Sequence, residues 1–207
     1  MEPIIIEHSD DTKTIFYYLK DFIPSQNQKE IFSWVSSIEQ FIPSENLDKD
    51  TTRLQRWYQQ DNRYFCDKWK KRYDKWQSFN YDKQLNDLQN LIMEKLTKLN
   101  LEKYGITLPK INSCLINKYR DGNDYIKPHR DTHLSFGRYP TVINLSLGGT
   151  RKLFFRSKNN TARNYSFNLE SGSLFVMAGS SQEKFTHEIT KSNSQDIRYS
   201  FTFREMI

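Results

Sequence analysis

A chain of 207 residues with a formal charge of +6 and a pI near 9.1 is most simply one domain with an affinity for polyanions, though net charge bears on association and not on fold. Hydrophobic content is only 36%, but 14 Phe, 12 Tyr and 4 Trp bring enough apolar area per residue for a real core. Two cysteines, Cys66 and Cys114, exclude a disulfide framework, and no apolar run nears the roughly 18 residues of a membrane span.

The first residues, Met1-Glu2-Pro3-Ile4-Ile5-Ile6-Glu7, lack the basic start and long apolar stretch of a signal peptide. The expectation is a soluble, intracellular protein with free thiols, no membrane partner and a monomeric state. Residues 1 to 23 read as short extended pieces. Ser25 then offers an N-cap, and Ile31, Trp34, Val35 and Ile38 recur at helical spacing, predicting an amphipathic packing helix that ends near Pro43.

Residues 44 to 81 change character. Arg53, Arg56, Arg63, Lys68, Lys70, Lys71, Arg72 and Lys75 are interleaved with Trp57, Tyr58, Tyr64, Phe65, Trp69, Tyr73, Trp76 and Phe79, with no clean period of 2 or 3.6. A solvated loop whose aromatics cap the core accounts for this composition. So does a nucleic-acid contact, in which cations neutralise phosphates and rings stack on unpaired bases; the density of Trp and Tyr among the cations favours the second. Asp82 can cap a second packing helix with Leu85, Leu88, Ile92, Leu96 and Leu99 on one stripe, closed by Tyr104-Gly105.

From Leu108 onward the period becomes 2 and the strands are short. They run Ile111 to Tyr119, Thr141 to Leu147, Lys152 to Arg156, Asn164 to Leu169, Ser173 to Met177, Lys184 to Thr190 and Ile197 to Phe203, with turn residues Asp121-Gly122-Asn123-Asp124 after the first. The expected class is mainly β with flanking helices (α+β), as a sandwich or jelly roll.

Three features of this half carry chemistry. His129 and Asp131 point to one face of an extended strand, and His187 lies further on; two imidazoles and a carboxylate on one side of a metal form the facial triad of non-haem Fe(II) oxygenases. Alone, His-x-Asp arises often by chance, and a histidine such as His187 on a half-buried strand is more often structural. In the last strand Arg198, Ser200, Thr202 and Arg204 alternate with Tyr199, Phe201 and Phe203, which describes either a sheet with one wet face or a polar pocket wall. The arginines, ~20 Å apart along a straight strand, would flank a gap suited to a small dicarboxylate. Asn117 and Tyr119 share a face and could orient a carboxylate or keto-acid. His133 shares the face of His129 and Asp131 if that strand continues.

The order Asn117-x-Tyr119, Asp121-Gly122, His129-x-Asp131, Ser146-Leu147-Gly148 with Arg151, Phe154-Phe155-Arg156, Gly172-Ser173-Leu174, Met177, His187 and Arg198-x5-Arg204 closely resembles the AlkB family of Fe(II)- and 2-oxoglutarate-dependent dioxygenases, which demethylate nucleic acids. The resemblance covers residues 108 to 204 and extends more weakly to Arg53-x-x-x-Trp57-Tyr58, similar to the nucleotide-recognition lid of eukaryotic-type members. It implies a double-stranded β-helix (jelly roll) and one domain over 1-207, with N-terminal helices and a substrate lid in 1-107 and the catalytic core in 108-207. It implies iron on His129, Asp131 and His187, and 2-oxoglutarate on Asn117, Tyr119, Arg198 and Arg204. It also implies O₂ as co-substrate, and methylated DNA or RNA met by Arg53, Trp57, Tyr58, His133 and Arg151. The activity implied is oxidative removal of 1-methyladenine- or 3-methylcytosine-type groups, releasing formaldehyde, succinate and CO₂. An oxygenase of protein or small molecules, a non-catalytic nucleic-acid binder on the same scaffold, and a plain structural jelly roll remain open. Two positions depart from the family pattern: Thr132-His133 stands where an acidic residue often follows His-x-Asp, and Gln59 replaces the glycine after Trp-Tyr.

Overall fold

The computed structural model describes residues 2–43, 52–60, 78–158 and 163–207. Its architecture follows from the two faces of two central strands, β7 (Val142–Gly148) and β12 (Arg198–Arg204). They pair antiparallel, with Ile143, Leu145 and Leu147 opposite Phe203, Phe201 and Tyr199 on one face and Asn144 and Ser146 opposite Thr202 and Ser200 on the other. Successive side chains alternate sides, so the ladder is greasy on one side and polar on the other. Every residue of β12 is nonetheless buried, so its polar face is no wet surface.

Around this pair grows an antiparallel sheet of eight strands. The others are β1 (Ile4–Glu7), β2 (Lys13–Leu19), β3 (Ile42–Pro43), β4 (Leu54–Gln59), β5 (Ser113–Tyr119) and β10 (Leu174–Gly179), in the order β1-β2-β10-β7-β12-β5-β4-β3. A smaller sheet, β6 (Ile126–His129), β11 (Phe185–Ile189), β8 (Arg151–Ser157) and β9 (Tyr165–Leu169), lies across the polar face in the order β6-β11-β8-β9. The result is a jelly roll.

Two helices cover the outer, apolar face. α1 (Ser25–Ser36) and α2 (Lys83–Thr97) pack Val35, Leu85, Leu88, Ile92 and Leu96 against Ile143, Leu145, Phe201 and Phe203. Asp82 caps α2 as expected, accepting a hydrogen bond from the Leu85 amide at 2.8 Å. α1 begins at Ser25 but stops at Ser36, short of Pro43, and no side chain caps it, because Pro24 occupies the cap position. The chain beyond instead supplies β3. β4 arises where no periodicity was visible: Gln55, Trp57, Tyr58 and Gln59 are all buried, and a strand covered on both faces has no reason to alternate.

The jelly roll is not confined to residues 108–207. β1 and β2 extend the sheet beyond β10, β3 and β4 extend it beyond β5, and Phe16 of β2 lies in the core between the sheets. There it meets Phe155 at 4.1 Å between ring centroids, beside Phe175 and Phe185. Among the described residues no helix is long and apolar enough to cross a membrane.

Candidate active site

The aromatic core fills the interior under β2, β10 and β8, and the polar part of the sheet lies beside it. There β6 and β11 pair so that His129 faces His187 across one rung, ring centroids 4.3 Å apart. Asp131 follows just beyond the end of β6, and one ligand atom from each of the three residues lies within 4.8 Å of the others. The Nδ1–H of His129 donates to the Lys127 carbonyl at 2.9 Å, which fixes the tautomer and leaves the Nε2 lone pair free to bind. Burial, then the neighbouring His129, holds the His187 pKa down at about 3, so this ring is neutral at physiological pH. Burial lowers the pKa of His129 as well. Burial pushes Asp131 upward, but the charge and hydrogen bonds of Arg204 outweigh it and keep the carboxylate ionised. Two neutral imidazoles and one ionised carboxylate converging at this spacing fit a divalent ion.

Asp131 is held on two sides. Arg204 donates to both carboxylate oxygens, Nε to Oδ2 at 2.7 Å and Nη2 to Oδ1 at 3.1 Å. The backbone N–H of Asp131 donates to Oε1 of Gln182 at 2.9 Å. At the other end of β12, Arg198 is fully buried beside Tyr119, whose ring centroid lies 5.0 Å from the guanidinium carbon. Its Nη2 donates to Ser146 Oγ at 2.8 Å, while Nε and Nη1 have no hydrogen-bond partner among the described residues. A buried guanidinium with open donors and no carboxylate costs stability, and a ligand carboxylate would satisfy both atoms. Asn117 lies on the same face and accepts from Arg53 Nε at 2.7 Å and Gln55 Nε2 at 3.2 Å. Asn144 bridges the hydroxyls of Ser200 and Thr202 at 2.7 and 2.9 Å, which satisfies the sheet floor between the two arginines.

A family model described as the 2OG-Fe(II) oxygenase superfamily matches residues 15–204. The chain belongs to the 2OG-Fe(II) oxygenase superfamily. Members of this superfamily use Fe(II), 2-oxoglutarate and O₂. Over 102 residues the chain is 33% identical to human alpha-ketoglutarate-dependent dioxygenase alkB homolog 3, a stretch covering 45% of this chain and 36% of that protein. Human DNA oxidative demethylase ALKBH2 is 28% identical over 111 residues, 50% of this chain and 42% of its own length. The match thus spans well under half of either curated relative. The solved structure titled "The structure of OsALKBH1" shares the fold at a TM-score of 0.64 and 16% identity, covering 92% of this chain and 97% of that one.

Within this superfamily fold, several expected residues fall in other places. Tyr58 points away from the site. It pairs with Cys114 while Trp57 pairs with Leu115, and strand alternation sends Tyr58 into the core under α2 and Trp57 to the interior face. Arg151 is buried too deeply for a nucleotide contact. It donates to the carbonyls of Asp121, Asp124 and Thr190 at 2.9, 2.6 and 2.7 Å, clamping the β5–β6 turn to the end of β11. His133 does not share the His129 face through alternation, since β6 ends at His129 and the exposed His133 starts the short helix α3 (His133–Phe136). Arg204 is engaged with Asp131, so the two arginines do not grip from both ends symmetrically. Arg53 touches Asn117 and so borders the polar face. Of the basic aromatic segment, Arg63 to Trp76 lie outside the described residues, as does Cys66. Ser200 and Thr202 were placed on a possible pocket wall, but neither Gln182 nor the bridge from Asn144 to their hydroxyls was anticipated; both rest on polar residues at buried helix and strand positions with no motif.

Proposed function

We propose that this chain is an Fe(II)- and 2-oxoglutarate-dependent dioxygenase that removes N-linked methyl groups from bases of DNA or RNA, of the 1-methyladenine or 3-methylcytosine type. The observation that carries the iron and co-substrate part is the convergence of His129, Asp131 and His187 beside a buried arginine with open donors. In this reading His129, through Nε2, with Asp131 and His187 holds Fe(II). Arg198 takes the distal carboxylate of 2-oxoglutarate, and Asn117 and Tyr119 shape the slot. Arg204 keeps Asp131 ionised and turned toward the metal. Bound there, Fe(II) with 2-oxoglutarate and O₂ supplies the oxidising chemistry that releases the methyl carbon as formaldehyde, with succinate and CO₂ as co-products. The protein's part is placement and water exclusion.

The nucleic-acid part is supported by the activity in the name of the DNA oxidative demethylase ALKBH2, by the net charge of +6 and by the location of Trp57 and Arg53 on the polar side of the sheet. We take residues 1–207 as one catalytic domain acting as an intracellular monomer; the free, buried thiol of Cys114 is compatible with a reducing compartment.

The test is turnover by anaerobically reconstituted protein on matched DNA and RNA oligonucleotides bearing a single 1-methyladenine or 3-methylcytosine, read by mass spectrometry with Asp131→Ala as control. Methyl loss with wild type alone supports the reading. Conversion of 2-oxoglutarate to succinate without any methyl loss moves the substrate to protein or small molecules. Neither reaction, together with no metal binding, leaves a nucleic-acid binder on an oxygenase scaffold.

A further inference from the structure

The carboxylate of the triad sits where the sheet gives it least support. β6 ends at His129, so among the described residues no ladder hydrogen bond holds the backbone of Asp131. Its N–H instead donates to the side chain of Gln182, 51 positions further along the chain. Gln182 is buried, and its other end is also fixed, because Nε2 donates to the sulfur of Met177 at 3.0 Å.

Gln182 stands on α4 (Ser181–Lys184), a single turn locked to the N-terminal hairpin. The Ser180 amide donates to the Lys13 carbonyl at 2.8 Å, and the Ser180 hydroxyl lies 3.1 Å from that of Thr14. Gly179, at φ +61°, brings the chain so close that a Cβ there would sit 2.0 Å from the Lys13 oxygen. α4 runs directly into β11, which carries His187. One anchored turn therefore sets two of the three ligands, His187 through the chain and Asp131 through Gln182.

We propose that Gln182 is a positioning residue for metal binding, holding the His129-x-Asp131 arm at the spacing the third ligand requires. The inference rests on the reading of His129, Asp131 and His187 as metal ligands. Side-chain rotation of Asp131 is governed by Arg204, and the position of its backbone by Gln182. Outer contacts that orient ligands in this way typically change metal affinity by roughly 10- to 100-fold when removed.

Co(II) titration of the apo-protein tests this, with ligand-field absorption and the amide exchange rate of Asp131 as readouts independent of turnover. Gln182→Met keeps length and bulk beside Met177 but removes the acceptor; Gln182→Glu keeps an acceptor oxygen. The expected result is a Co(II) Kd raised roughly 10- to 100-fold in Gln182→Met, an altered absorption envelope and faster Asp131 exchange, with most of the affinity restored in Gln182→Glu. Equal affinity and equal exchange in wild type and Gln182→Met overturn the proposal and leave the ligand reading intact. A wild type that binds no Co(II) brings down the ligand reading and this inference with it. If Gln182→Met does not fold, Met177→Leu carries the test: it frees the amide end of the same side chain, and unchanged affinity and exchange there are equally fatal.

Discussion

Arg198 is a residue whose burial the apo-protein does not compensate. Among the described residues its Nε and Nη1 have no hydrogen-bond partner, so the charge is desolvated with only Ser146 and the neutral Tyr119 phenol in return and no carboxylate. Replacing it with methionine is expected to stabilise the apo-protein, by about 1–3 kcal/mol, while abolishing the thermal shift that 2-oxoglutarate confers on wild type. Melting curves with and without the co-substrate check both halves; a destabilised variant that still responds would sink the assignment. His187 carries a pH signature. Its pKa is near 3 in the fold and near 6.5 when unfolded, so below about 6.5 the unfolded chain binds a proton that the native state refuses. Stability of the apo-protein is thus full above that pH and lost progressively as pH falls toward 3, with Asp131, also depressed, adding loss at the acid end. Urea midpoints at pH 8, 6, 5 and 4 measure the slope, which His187→Gln is expected to flatten. At this scale the sequence was informative about what residues are and poor about where they point. His129-x-Asp131 declared itself by type and spacing, whereas Tyr58 and Arg151 are ordinary aromatic and cationic residues whose burial depends on strands and turns assembled from distant segments.

Among the elements, the short ones carry the precision. Most strands from β5 to β12 were legible within a residue or two, because period-2 alternation and Gly/Asn/Asp turns mark them directly. α4, one turn long, has too few residues for any period, and β4 is hidden by burial on both faces. Yet α4 fixes the start of β11. Gly179→Ala combines a backbone conformation that L residues resist with a Cβ 2.0 Å from the Lys13 carbonyl. Something must shift there, and the expected cost is at least about 2 kcal/mol, with weakened metal binding because α4 moves. Chemical denaturation and a Co(II) titration measure the two effects; a variant as stable as wild type would remove α4's anchoring from the account.

For the whole molecule, division at residue 107 fails physically because the sheet ignores it. Deleting residues 2–19 would strip β1 and β2 from the edge of β10, expose a row of unpaired backbone groups and empty the Phe16 position between the sheets. The truncated chain is expected to aggregate or lose cooperative unfolding. A soluble, cooperatively melting 20–207 fragment would show that the hairpin is an accessory. Periodicity foretold the mixed class, and composition the abundance of core aromatics. It could not foretell that the first strands close the roll, since edge pairing is decided by partners more than a hundred residues away.

The opposition of His129 and His187 across one rung has a consequence for assembly. Strand register is quantised in steps of one residue, and each step turns every side chain to the reverse face. A chain that joined β6 to β11 one residue out of step would send one imidazole away from the other and could not retain a divalent ion. With the proposed ligands, the site would act as a proofreader of its own construction, and ion retention is expected to single out the correctly aligned molecules from a refolding mixture.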